Sequence, residues 1–192
     1  MKTFKIIISE DETITATIPE TWNEITVAQF VRLETDRWDG KDAIQLLGIL
    51  SGVNVKKLDN LEGKQATKLY DVLSDALAFV AGDPPDFEAL SIKNKFNLNG
   101  RDLDVPNDLE MERIGQKILL ANLMQNDNMT KQIPQALAIY FQPIYDKVEK
   151  FDRKRIPVIV DHINRTPIIE AYPIVSFFFR KLTNLKRNGT TL

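Results

Sequence analysis

The chain has one histidine, His162, directly after Asp161. A His–Asp pair moves protons when the two side chains meet. Neighbours in sequence point about 100° apart on a helix, so these two make no ready dyad. His162 therefore reads as an ordinary surface or core histidine. There is no cysteine, which removes disulfides, thiolate metal sites and cysteine nucleophiles. A metal site would need carboxylates alone. Asp83 and Asp86 flank two prolines and lack the spaced ligands and central glycine of a calcium loop. Glu10-Asp11-Glu12 reads as a solvated hairpin tip. The eight glycines are scattered, and none makes a phosphate cradle or dinucleotide fingerprint. No serine stands in a Gly-x-Ser-x-Gly elbow. One enzymatic option stays open, a pair of carboxylates brought together by the fold. The expectation is a chain that is not an enzyme, with no cofactor and no metal.

Charge and composition narrow the partners. The 192 residues are 43% hydrophobic and 27% charged, with a formal net charge of −2. That is a globular composition with room for a sizeable core. It predicts no obligatory nucleic-acid partner. Zinc spacings, ribonucleoprotein motifs and basic helices are missing, and Arg153-Lys154-Arg155 is short and follows Asp152. The charge is nonetheless uneven. Residues 151–192 hold eight basic and three acidic side chains, a net of +5, and the other 150 hold 17 basic and 24 acidic, a net of −7. One reading is a solvated surface. Another is a dipolar subunit whose basic end meets the acidic end of a neighbour, head to tail. A third is a basic patch facing nucleic acid. The first ten residues have an apolar core of four followed by acid, too short for a signal peptide. No 18-residue apolar window is present, so no membrane span is expected.

The elements follow from pattern. Lys2 to Ser9 and Thr13 to Ile18 read as two strands of a hairpin with Lys5, Thr13, Thr15 and Thr17 on its solvated face. Pro19 to Thr26 is a connector, with Trp22 folded onto the start of a helix that Thr26 caps and that runs from Val27 to Thr35. A helix from Lys41 to Ser51 follows, then a short turn from Val53 to Leu61. The clearest periodicity runs from Glu62 to Ala81, with Ala66, Leu69, Tyr70, Leu73, Ala76, Leu77 and Val80 inward. Asn99-Gly100 marks a second hairpin over 91–105. Asn107 and Glu110 open a helix that ends near Gln125. The segment 125–131 is polar and reads as mobile. Helices are expected from Pro134 to Val148 and from Asp152 to Asn164, the latter with a strand over Arg155 to Val160 as the competing reading. Residues 186–192 read as a frayed basic tail.

The most apolar run, Thr166 to Leu182, reads as a last core helix kinked near Pro173, with Thr166 as its cap. Ile168, Tyr172, Val175, Phe179 and Leu182 form its central stripe, widened by Ile174 and Phe178. Phe177 falls in the polar arc with Arg180 and Lys181. It is either a lone exposed ring or an anchor for another chain. Phe177, Arg180, Lys181 and Trp22 are the candidate interface residues. The expected class is α+β, mainly a bundle of about six to eight helices with two β-hairpins that can join in one small antiparallel sheet. One domain over 1–192 is expected, with a possible subdivision into 1–105 and 106–192.

Ile18 to Glu34, and the proline-and-phenylalanine ending, resemble small structural proteins of tailed bacteriophages of the crAss-like group. The opening hairpin, the Trp connector and the short helices also resemble phage tail assembly chaperones. The resemblance implies a virion component of the tail or neck, a homo-oligomeric ring subunit that contacts other tail or neck proteins and passes through the host cytoplasm during assembly. Nucleic acid enters only as a lumen contact. A chaperone absent from the mature virion is the alternative it implies.

Overall fold

Alternation of β-branched and polar residues makes the opening hairpin, because a strand sends successive side chains to opposite faces. The computed structural model describes residues 1–9, 12–36, 43–58, 61, 64–105, 114–123, 125 and 128–187, and of residues 64–66, 114, 182 and 184–187 the backbone alone. The expected hairpin tip at 10–11, the caps Asn107 and Glu110, the inward Ala66 and Leu182, and the end of the basic tail lie outside the described side chains. The described residues are mostly helical, with seven α-helices and two small two-stranded antiparallel sheets, which is the expected α+β class. The two hairpins do not merge into one sheet; each pairs only within itself among the described residues. By contacts the chain falls into two compact units, Met1–Ile25 with Arg32–Pro85, and Thr26–Val31 with Asp86–Leu192.

In the first unit, β1 (Lys2–Ile7) pairs antiparallel with β2 (Thr13–Ile18), Phe4 opposite Ala16 and Ile6 opposite Ile14. Ile6, Ala16 and Ile18 are buried, while Lys5, Thr13 and Thr15 stay exposed as their phase requires. A bare hairpin is marginal in water. This one packs β2 on α2 (Ala43–Ser51) and β1 on α3 (Lys64–Ala81). Lys2 reaches Asp75 of α3 at 2.6 Å, and Lys57 reaches Glu12. Gly48 of α2 admits a close neighbour, since a Cβ there would sit 2.6 Å from Val55 Cγ1. On α3, Leu69, Val72, Leu73 and Ala76 are buried, but Tyr70 and Leu77, expected inward, are 70% and 37% exposed. The apolar arc of α3 is wider than the surface available to cover it.

In the second unit, α1 (Val27–Thr35, its first turns only) opens with a reciprocal cap. Gln29 N donates to Thr26 Oγ1 at 3.3 Å, and Thr26 N donates to Gln29 Oε1 at 2.8 Å. Phe30 then sits edge-on to Phe87 and Tyr172, with ring centres 5.4 and 5.9 Å away. In the second hairpin, β3 (Lys95–Leu98) and β4 (Arg101–Asp104) are joined by Asn99 at φ 51° and Gly100 at φ 75°. Both values are left-handed, as a two-residue turn of this type demands.

The centre of this unit is α5 (Met129–Asp146), which packs against α4 (Ile114–Leu123), α6 (Ile156–Asn164), α7 (Ile168–Arg187) and β4. It begins at Met129, not Pro134. The Asn128 side chain accepts from Lys131 N at 3.2 Å and starts the helix inside the segment expected to be mobile. Pro143 has no N–H for the carbonyl of Ile139. Buried Gln116 of α4 fills that role, donating from Nε2 to the carbonyls of Ile139 and Tyr140 at 3.0 and 3.2 Å. The competing strand over Arg155–Val160 does not form. Asp152 accepts from Lys154 N at 2.9 Å, a short turn follows, and Pro157 enters the first turn of α6 where it loses no bond.

Candidate interaction surface

Helix α7 carries the residues singled out in the sequence. Its first acceptor is the carbonyl of Pro167, bonded by Glu170 N and Ala171 N at 3.1 and 3.3 Å. Thr166 is not its side-chain cap. The Thr166 hydroxyl donates backwards to the carbonyl of His162 at 3.3 Å, closing α6. The helix is continuous through Pro173, which is itself buried.

Its packing face is rotated from the expected stripe. Ile168, Ala171, Ile174, Val175 and Phe178 are buried, whereas Tyr172 and Phe179 are only half-buried. Phe178 stacks on Tyr140 of α5 with centres 3.8 Å apart. At 100° per residue the buried face centres near Ala171 and Phe178, which leaves Tyr172 and Phe179 on its flank. That flank and the first turns of α5 enclose an open groove of about 480 Å³. Met129, Ile133, Tyr172, Val175 and Phe179 give it an apolar floor, and Thr130, Ser176, Arg180 and Thr183 give it a polar rim. The rim is ordered by its own bonds. Ser176 Oγ donates to Glu88 at 3.2 Å, Arg180 Nη1 lies 3.5 Å from Glu88, and Thr183 Oγ1 donates to the Phe179 carbonyl at 2.8 Å.

The four candidate interface residues separate. Arg180 lines the groove. Phe177 is half-buried beside it on α7, 5.7 Å from the ring of Phe178, with Lys181 Nζ 5.5 Å over its face. Trp22 lies in the other unit, half-buried, with its ring 5.4 Å from Phe79 of α3. Sequence reasoning missed Met129 and Thr130, because the polar run around them masked a helix start. The signal was Asn128 three residues ahead of Lys131, a capping position.

The other candidate residues are engaged by neighbouring side chains. Asp161 accepts from Arg165 Nη2 at 2.7 Å, one helical turn on, while His162 lies 5.7 Å from the Tyr145 ring. His162 also borders a polar recess of about 370 Å³ with Asn97, Asn99 and Glu170. Among the described residues no three His, Cys, Asp or Glu gather into a metal-binding group. One carboxylate is strongly held. Asp146, 14% exposed, accepts both from Arg155 Nη2 at 2.8 Å and from Gln142 Nε2 at 3.0 Å. The Arg155 bond, with help from Gln142, holds the Asp146 carboxyl below the usual aspartate range against the opposing effect of burial. Gln142 Oε1 in turn accepts from Asp152 N at 2.9 Å, so the network ties the end of α5 to the start of α6. No described helix is long and apolar enough to cross a membrane. No family model matches the chain, and neither a curated protein nor a solved structure matches it.

Proposed function

We propose that this chain is a non-enzymatic assembly subunit, a structural protein of a tailed-bacteriophage virion that docks head to tail with its own copies in a tail or neck ring. The observation that carries the docking role is the groove between α5 and α7, with its apolar floor and hydrogen-bonded polar rim. Interface centres have this make-up, an aromatic and aliphatic patch inside a polar border. Its α7 wall belongs to the basic stretch 151–192 of a chain whose remainder is acidic, which supports a heterologous contact between copies. The phage setting rests on the resemblance of Ile18 to Glu34 and of the proline-and-phenylalanine ending.

Phe179→Asp places a charge on the groove floor without touching the buried face of α7. The expected result is loss of species larger than a dimer, with the melting temperature of the monomer little changed. Unaltered assembly of this variant would remove the groove from the interface. The same groove also favours a second reading, a tail assembly chaperone holding an apolar segment of another phage protein. Proteomics of purified virions separates the two, since a ring subunit is present in many copies and a chaperone is absent.

A further inference from the structure

The turn over residues 86–89 lays a carboxylate on the rim of the groove. Asp86 folds the turn, its Oδ1 accepting from Glu88 N at 3.0 Å and from Ala89 N at 3.3 Å. Phe87 anchors it, with its ring centre 4.8 Å from that of Tyr172 and 5.4 Å from that of Phe30. Glu88 is thereby turned onto α7. Its two oxygens lie 3.2 and 3.4 Å from Ser176 Oγ, and one of them lies 3.5 Å from Arg180 Nη1. Ser176 and Arg180 stand one helical turn apart, and both line the groove. The chain itself thus shows what this rim accepts, a carboxylate held by a hydroxyl and a guanidinium.

The contact is loose. A strong arginine–carboxylate bond is about 2.7–2.9 Å long. Both side chains of this pair are 59% exposed, so water and salt screen their attraction. A guanidinium has donors to spare beyond one such contact, and Glu88 is the only carboxylate in ion-pair reach of Arg180 among the described residues. Phe87 carries the packing of the turn and Glu88 does not, so the carboxylate can leave α7 while the turn stays.

We infer that Glu88 is an internal competitor for the groove, displaced from Ser176 and Arg180 when an acidic side chain of a second copy docks there. The inference rests on the head-to-tail reading of the groove and adds what governs that contact. The occupant follows from charge. Residues 1–150 carry a net of −7 and residues 151–192 a net of +5, and the Glu88 contact already joins the two stretches within one chain. A partner that covers the apolar floor of Met129, Ile133 and Phe179 shields the rim from water. A carboxylate arriving with it meets Arg180 in a drier setting, where the attraction exceeds that of the exposed Glu88 pair. Glu88 left in place would oppose it by like charge. An occupied rim lowers the apparent affinity by the fraction of chains in which it is open. Glu88 therefore sets the concentration at which copies associate.

Sedimentation velocity of the wild type, Glu88→Gln, Arg180→Gln and the double variant tests this. Glu88→Gln keeps an amide oxygen for Ser176 and removes the charge. It should associate about two- to fivefold more tightly than the wild type, the strength of an exposed ion pair. Arg180→Gln should associate about tenfold or more weakly. In the double variant the gain from Glu88→Gln should vanish, because no guanidinium is left to release. Asp83→Asn removes the same charge from an exposed position five residues earlier and should give no gain. A Glu88→Gln chain that associates no more tightly than the wild type would overturn the inference, and the groove reading would still stand if Phe179→Asp disrupts assembly. A gain that persists without Arg180, or that Asp83→Asn reproduces, would overturn it as well. Assembly untouched by Phe179→Asp would remove the groove reading and this inference together.

Discussion

Helices α3 and α5 are both 18 residues long, and they hold their place by opposite means. The α3 sequence has unbroken apolar periodicity and no proline, and yet two of the large residues that make that periodicity are exposed. The α5 sequence holds Pro134 and Pro143, begins in a polar run, and is nonetheless buried at ten positions, from Ile133 to Tyr145. A narrower buried face, Leu69, Val72, Leu73 and Ala76, holds α3 beside its regular helical pattern. Tertiary contacts carry α5, through ring packing and a borrowed hydrogen bond. Strength of periodicity therefore measures how readily a segment becomes a helix, and says little about how much of it the fold covers.

Truncation at the two helices separates these means most sharply. Phe141, 0% exposed on α5 and 5.0 Å from the Phe96 ring, is the larger test, and Phe141→Ala should cost about 3–5 kcal/mol in denaturant unfolding. Next in size is the borrowed bond. Gln116→Leu strands the Ile139 carbonyl and should cost about 1–3 kcal/mol. Pro143→Ala restores the missing donor, so the double variant should lose clearly less than the two single losses added; additivity would show that Gln116 does not stand in for the proline N–H.

The pH dependence comes third. A carboxyl held below its unfolded value contributes stability above the unfolded aspartate pKa and loses it as pH falls through the folded value. Asp146 is such a group, so the second unit should weaken on acidification below the ordinary aspartate range. Asp146→Asn should flatten that limb of a melting-temperature profile, and an unchanged limb would assign the acid sensitivity elsewhere. The smallest effect belongs to α3. Tyr70→Ala, at a position 70% exposed, should change monomer stability by no more than about 0.5 kcal/mol when measured in dilute solution.

Local signals carried much of the fold. Thr26 as a helix cap, and Asn99 with Gly100, are short-range instructions read from residue type alone, and both appear as expected, the return bond from Thr26 N to Gln29 Oε1 being an addition. What was not legible depends on distant partners. Tyr70 and Leu77 read as part of the inward face of an amphipathic helix until the neighbours of α3 are in place. The rotation of α7 away from the stripe through Tyr172 and Phe179 has the same cause. Its apolar arc spans more than the core covers, and the packing of Phe178 on Tyr140 decides which part is taken. That choice leaves the groove, so the groove was invisible where its two walls, near residues 130 and 176, are far apart in sequence. The separation of the hairpins into two sheets was equally hidden, because strand pattern does not name a partner.

The docking role of the groove is tested most directly by sedimentation velocity of the wild-type protein beside Phe179→Asp, over a wide concentration range. The wild type should populate species larger than a dimer as concentration rises, and Phe179→Asp should not, with both sharing one melting temperature at low concentration. A wild type that stays monomeric or dimeric throughout, or a Phe179→Asp variant that assembles as the wild type does, would contradict the account.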